Sequence, residues 1–267
     1  MLLPPLRRLS GLVSLWGTLV RQDLAVRYRG TVLGRIWPLA MPLLMLMVYG
    51  FVFGAVFRAR WPGLADGDHL GFTLNLFAGL LVHGLFAEVV GQSPGLMQRH
   101  SNFVRKMVFP LPVLVAVPLG TALVHSSIGF VLLLLVNAFA GTGLQPTALA
   151  IPLVLLPYMA LLYGLALAFA ALGVYLRDLA QLAGVLVMVA LFTGAVFFPV
   201  DMVPEPLSAV VRYNPISWPI DAVRGCLLRG EWPDPLAFSL YSVVALGVLA
   251  IGGWMFSVLR RGFADLL

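Results

Sequence analysis

This chain has very little lysine, cysteine or acid. Lys106 is the only lysine and Cys226 the only cysteine. A phosphate-binding loop of the Walker type needs a lysine followed by Ser or Thr, because the ammonium reaches the phosphates and the hydroxyl binds magnesium. Lys106 is followed by Met107, so the chain cannot hydrolyse ATP by that route. A lone cysteine excludes an internal disulfide and a cysteine-based zinc cage. The metalloprotease and serine-hydrolase motifs are missing, as is a carboxylate pair at catalytic spacing. The histidines, His69, His83, His100 and His125, are scattered and read as structural or interfacial groups rather than ligands. Of the 11 acids, only Glu88 falls inside an apolar run, near its end. Proton- and sodium-coupled carriers keep an acid near mid-membrane, and none stands there. Glu88 reads as the partner of an interfacial arginine.

Apolar side chains are abundant instead. Of the 267 residues 61% are hydrophobic and only 10% charged, which exceeds what a soluble core of this size requires. Runs of about 20 apolar residues match the ~30 Å hydrocarbon layer as helices. The alternating polarity of barrel strands is missing. The chain therefore reads as one all-α integral membrane domain, 1–267, with six transmembrane helices at 36–57, 70–90, 110–139, 147–175, 179–200 and 235–259. Kinks are expected near Pro112 and Pro118, and Gly50 with Gly54 permits close helix approach.

Ahead of the first span, Arg7 and Arg8 precede an apolar stretch broken by Ser10, Ser14, Gly17 and Thr18 with no small-residue cleavage pattern, so it does not read as a removed signal. Leu12, Val13, Trp16, Leu19, Val20 and Leu24 recur at helical intervals, and Asp23 can pair with Arg27 one turn on. This predicts an amphipathic interface helix over 9–30, lying in the membrane surface. Residues 201–234 hold Pro204, Pro206, Pro215, Pro219 and Pro233 together with an apolar stripe, Ile216, Ile220, Val223 and Leu227. Short amphipathic helices that dip into the bilayer are expected there, re-entrant before the last span.

Orientation follows from the cations. With the N-terminus inside, twelve of the 17 Lys and Arg fall on the cytoplasmic side, and the other five are diluted by acids such as Asp66, Asp68, Asp201 and Glu231. Both termini are therefore expected in the cytoplasm. The net charge of +6 belongs to topology rather than to nucleic acid.

Four stretches then point to a family. Arg27-Tyr28, Leu33-Gly34, Trp37 and Pro42 resemble the entrance motif of ATP-binding-cassette permeases that export polysaccharides, the Wzm-like O-antigen permeases with their capsule and teichoic-acid relatives. Val56-Phe57-Arg58-Ala59-Arg60-Trp61, Asn102 to Pro110, and Asn214-Pro215 followed by Arg224 agree in order and spacing. The resemblance implies a bacterial inner-membrane permease that is not an enzyme, working as a homodimer with two nucleotide-binding ATPase subunits. ATP and Mg would sit on those partners, with no cofactor in this chain. The cargo implied is an undecaprenyl-pyrophosphate-linked O-antigen or similar polysaccharide drawn from among membrane lipid. A small-molecule or drug exporter of the same superfamily, a capsular permease and a membrane enzyme acting on lipid-linked sugars are the alternatives.

The resemblance also assigns places. Arg27, Tyr28, Arg29, Leu33, Gly34, Arg35 and Trp37 would form the substrate entrance. Residues 94–106, with Arg99, Asn102, Arg105 and Lys106, would be the coupling helix set into the ATPase. Asn214, Pro215 and Arg224 would belong to an outer gate. Ala25 departs from the pattern, since many relatives carry a basic residue there. Chemically, Arg27, Arg29 and Arg35 suit bidentate contact with a pyrophosphate, or equally with lipid headgroups. Tyr49, Phe53 and Phe57 suit sugar faces in a channel, or lipid and helix packing.

Overall fold

The computed structural model describes residues 5–32, 34–56, 61–65, 67–102, 109–141 and 143–266, with the side chains of 5–9, 35, 55, 264 and 265 outside the description. Every regular element among them is helical. The principal helices are α1 (Pro5–Arg27), α2 (Trp37–Tyr49, running on as a wider turn through Gly50–Val56), α3 (His69–Gln92), α4 (Leu96–Arg99), α5 (Leu111–Val115), α6 (Val117–Ala140), α7 (Ile151–Tyr175), α8 (Leu179–Thr193), α9 (Leu207–Arg212), α10 (Ser217–Arg224) and α11 (Pro235–Leu259). Among the described residues five stretches are long and apolar enough to cross a membrane: Trp37–Gly54, His69–Gln92, Leu111–Ala140, Pro146–Tyr175 and Pro235–Gly262. The sixth apolar helix, α8, has 15 residues, about 22 Å at 1.5 Å per residue and short of a full crossing.

Local chemistry explains the boundaries. Asp68 starts α3 by accepting the Gly71 amide at 2.7 Å, and Asp234 starts α11 by accepting those of Leu236 and Ala237, with Pro235 in the first turn where a missing donor costs nothing. The run expected as one span over 110–139 divides at Ala116. Pro118 has no amide to offer the carbonyl four residues back, so the ladder breaks there.

Helix α3 is the hub, with Leu76, Val82, Leu85, Val89 and Val90 fully buried. By contrast α2 and α11 present outward rows such as Met41, Leu44, Met47 and Val243, Leu246, Trp254, the arrangement that suits helices solvated by lipid. Gly50 and Gly54 face α3, where an added Cβ would meet Thr73 and His69 at 3.4 and 3.3 Å.

Helices α7 and α11 meet backbone to backbone. A Cβ on Gly252 would lie 2.0 Å from the Gly164 carbonyl oxygen, and one on Gly164 would lie 2.6 Å from the Leu249 Cα. Both obstacles are backbone, which cannot swing aside as a side chain can. Gly252→Leu is therefore expected to cost about 3 kcal/mol through overpacking, read as a lowered melting temperature of the purified protein. Gly253→Leu supplies the matched control, since nothing lies within 4 Å of its added Cβ.

Candidate functional site

Five contacts dock α1 on the ends of α3 and α6. The Trp16 indole donates to the Ala116 carbonyl at 2.8 Å. Gly120 lets α1 come close, since a Cβ there would sit 2.5 Å from Val20 and 2.7 Å from Trp16. One turn on, the Thr121 hydroxyl donates to Asp23 at 3.0 Å. Arg27 then donates to Glu88 at 2.5 Å and to Gln92 at 3.2 Å, and it pairs with Asp23 at 3.5 Å. Finally the Tyr28 hydroxyl meets His125 Nε2 at 2.8 Å.

These last contacts form one polar cluster. Glu88 accepts from Arg27, from His125 Nδ1 at 2.9 Å and from Gln92 at 3.3 Å. A carboxylate only accepts, so His125 carries its proton on Nδ1, and in the neutral ring Nε2 accepts a hydrogen bond from the Tyr28 hydroxyl. Burial raises the Tyr28 phenol above its ordinary range, with Arg27 pulling it down and Glu88 pushing it up, so it remains a donor. The cluster borders a cavity of about 310 Å³ whose other walls include Trp37, Met41, Met45 and Phe77. Polar groups thus meet an apolar slot where α2 leaves the loop.

Of the sequence-derived entrance residues, the fold brings Arg27, Tyr28 and Trp37 to this cavity. Arg29 and Gly34 line a neighbouring one of about 530 Å³, together with Arg21 and Tyr28. Leu33 and the side chain of Arg35 lie outside the described residues. The sequence reading missed His125 as a member of the cluster. No local pattern marks it, because the contact joins two helices at residues 37 positions apart.

In the expected coupling segment, α4 is a single turn. Arg99 folds back to donate to the Gln92 carbonyl at 2.7 Å, placing a cation at the C-terminal end of α3 where the helix dipole favours it. Gln98 donates to the Gly173 carbonyl at 3.0 Å, and a Cβ on Gly173 would lie 2.0 Å from the Pro94 oxygen, so α4 is held on the end of α7. Asn102 is exposed, and Arg105 and Lys106 lie outside the described residues.

At the opposite end of the bundle the short helices close over α3. Arg224 is 1% exposed and donates to three main-chain carbonyls, Asn75 at 2.8 Å, Ala195 at 2.5 Å and Val196 at 2.6 Å. Its guanidinium lies 4.5 Å from the centre of the Trp61 ring. Asn214 donates to Thr193 at 2.8 Å and accepts the Ile216 amide, which turns the chain between α9 and α10. The Pro215 carbonyl accepts from Tyr241 at 2.8 Å. Tyr49 and Phe53 belong to an inward aromatic cluster, with Phe53 stacked 6.1 Å from Phe72 and tilted at the same distance from Phe197, while Phe57 lies outside the described residues. No group of three or more metal-ligating side chains occurs among the described residues.

Comparison with known proteins places this geometry. Residues 14–228 match the family described as ABC-2 type transporter. The chain is similar to two proteins of Klebsiella pneumoniae named O-antigen export system permease protein RfbA, each 26% identical over 263 residues that cover 97% of both chains. A protein of the same name from Myxococcus xanthus is 24% identical over 250 residues, 93% of each chain.

Proposed function

The chain belongs to the ABC-2 type transporter family, and on that premise we propose that it forms the channel of an exporter for lipid-linked O-antigen or a similar surface polysaccharide. As a family member it is a multi-pass membrane permease, a channel component rather than an enzyme, and it works with a partner ATPase subunit. ATP and Mg belong to that partner. The observation that carries the cargo assignment is the match along 97% of both chains to permeases named for O-antigen export.

In this reading two copies enclose the channel above two ATPase chains, in a bacterial inner membrane with both termini cytoplasmic. Six crossings are counted, the fifth made by α8 with the residues after it. Residues 201–234 then form the outer re-entrant segment, and Asn214, Pro215 and Arg224 hold its shape. Arg27, Tyr28, Arg29, Leu33, Gly34, Arg35 and Trp37 surround the entrance for the glycan pyrophosphate. Residues 94–106 dock in the ATPase, and Tyr49, Phe53 and Phe57 lie along the polymer path. Supporting this mechanism, α1 and α4 are both bonded to helices that run the length of the bundle. A push on either reaches the channel helices through rigid contacts.

The experiment is purification followed by deletion. The tagged chain should bring down an ATPase carrying Walker motifs. Its deletion should abolish surface polysaccharide while lipid-linked glycan accumulates on the cytoplasmic leaflet. Transport by the chain alone in liposomes would defeat the subunit assignment. Intact surface glycan with loss of drug resistance would point to the small-molecule exporter instead.

A further inference from the structure

A further cavity, of about 750 Å³, lies at the end of the bundle closed by α9 and α10. The loop before α3, the last turn of α6 and the segment after α10 enclose it. Its size is that of an ordinary ligand pocket, with room for a short oligosaccharide rather than for an ion alone. Two groups in its walls are unmatched. Trp61 is 8% exposed, and its indole N–H meets no acceptor among the described residues. Asn75 is 6% exposed. Its Nδ2 donates to the Gly71 carbonyl at 2.9 Å, while its Oδ1 accepts nothing among the described residues. Neither atom is sealed in protein, so both open on the cavity that their residues line. Buried polar groups are ordinarily hydrogen-bonded, and here a donor and an acceptor are left to whatever fills the space. Arg224 fixes both residues, facing the Trp61 ring at 4.5 Å and binding the Asn75 main-chain carbonyl at 2.8 Å.

The other polar lining residues set the charge. Asp68, Asp201, Asp221 and Glu231 stand with Arg229, four acids to one cation, a net −3. Arg229 is itself taken by Asp221 at 3.2 Å and by Glu231 at 2.7 Å. Such a rim repels an anion. An ammonium would suit the acids, but it only donates and would leave the indole N–H without an acceptor. Metal is not favoured either, since no group of three or more metal-ligating side chains occurs among the described residues. A hydroxyl both donates and accepts, and so answers Asn75 and Trp61 together. The ligand chemistry that fits is a neutral polyol.

The cavity also continues the aromatic run of α2. Tyr49 lies 6.2 Å from Phe53, Phe53 6.1 Å from Phe72, and Phe72 5.8 Å from Trp61, ring centre to ring centre. Resting on the export reading above, we propose that this cavity is a sugar-binding subsite at the outer mouth, which takes neutral sugar residues of the emerging polymer. Sugar hydroxyls accept from the Trp61 indole and donate to the Asn75 Oδ1, and others donate to the rim carboxylates. The subsite is separate from the entrance and takes no part in binding the lipid.

The test is isothermal titration of the purified complex with its ATPase, held in nanodiscs. One probe is the repeat-unit oligosaccharide cut free of lipid from the cell's own surface polysaccharide, and the other is spermine. Trp61→Phe keeps a ring for Arg224 but removes the N–H, and Asn75→Leu removes the acceptor. Each should weaken oligosaccharide binding about tenfold. Ala140→Trp, on an exposed residue of the wall, should abolish binding by filling the cavity with every polar group in place. Glu205→Gln, an exposed acid of the same end but outside the lining, should leave binding unchanged. An Ala140→Trp complex that binds like the wild type overturns this site while the channel assignment stands. Tighter binding of spermine than of the oligosaccharide makes the cavity a cation site and overturns the sugar. A wild-type complex that takes up neither probe also overturns the subsite, and the export reading then still rests on the deletion phenotype, which tests it independently.

Discussion

Arg224→Met is expected to remove most of the stability of the far end of the bundle and with it the yield of intact protein. Arg224 gives three hydrogen bonds from one guanidinium to three carbonyls, Asn75 on α3 and Ala195 and Val196 just past α8. Methionine fills similar volume but offers no donor, so the Ala195 and Val196 carbonyls beyond α8 lose this partner and the Asn75 carbonyl inside α3 loses a second one. Each such loss costs about 1–3 kcal/mol. Against this, the variant no longer has to bury a charge that none of the ion pairs among the described residues neutralises, which is a real saving. The carbonyl losses are more numerous, and the ring of Trp61 also loses the cation it faces at 4.5 Å. A net loss of about 3–5 kcal/mol follows, a large share of a stability of roughly 5–15 kcal/mol.

The measurement is thermal unfolding of the detergent-solubilised protein, where a drop on the order of 10 °C is expected. Arg224→Lys should fall between the two. An ammonium keeps the charge but lacks the planar fork that reaches both α3 and the segment after α8 while facing an indole. Gly79→Ala should mimic the loss, since its added Cβ would stand 2.5 Å from the Arg224 Nη2. A methionine variant that melts and exports like the wild type would remove Arg224 from the structural account.

How legible this arrangement was depends on the range of the interaction. The stripe Ile216, Ile220, Val223 and Leu227 is visible as a helical period, and all four residues are buried. The long apolar helices are legible for the same local reason, as is the break near Pro118. The end of α8 was not legible. The chain around Thr193 and Gly194 is as apolar as what precedes it. What stops the helix lies 22 to 29 residues downstream, where Ser217 takes the Ala195 amide and Arg224 takes two carbonyls. A partner for Glu88 was readable in kind, because a membrane-embedded acid needs a cation. That His125 shares it depends on how deep α3 and α6 sit relative to each other. The same limit hid the division among the arginines. Arg21, Arg27 and Arg29 look alike in sequence, and only the docking of α1 separates the one facing Glu88 from the two facing an open cavity.

Glu88→Gln should therefore act on coupling rather than on folding. Trp16 on Ala116 and Val20 against Gly120 hold one half of α1 to the bundle without Glu88. The last turn leans on it through Arg27 and His125, beside the Thr121 bond to Asp23 that Glu88 does not share. The side chains of Arg27 and Glu88 are 31% and 16% exposed, so their pair lies between a solvated bridge worth up to about 1 kcal/mol and a buried one worth about 3–5. Some 2 kcal/mol is a fair expectation. This is too little to unfold the chain, yet enough to shift a docked helix end toward release by roughly thirtyfold. Export in reconstituted vesicles should fall by at least tenfold while ATP hydrolysis by the partner continues. A double-mutant cycle with Arg27→Gln should give a coupling energy above about 1 kcal/mol, because the two changes remove one shared contact. Exchanging the charges, Arg27→Glu with Glu88→Arg, should restore little. The new acid would face Asp23 across 3.5 Å, and the new cation would face the His125 Nδ1 proton. Full rescue by that exchange would mean that the pair acts alone, and the polar cluster would lose its claim to be a unit.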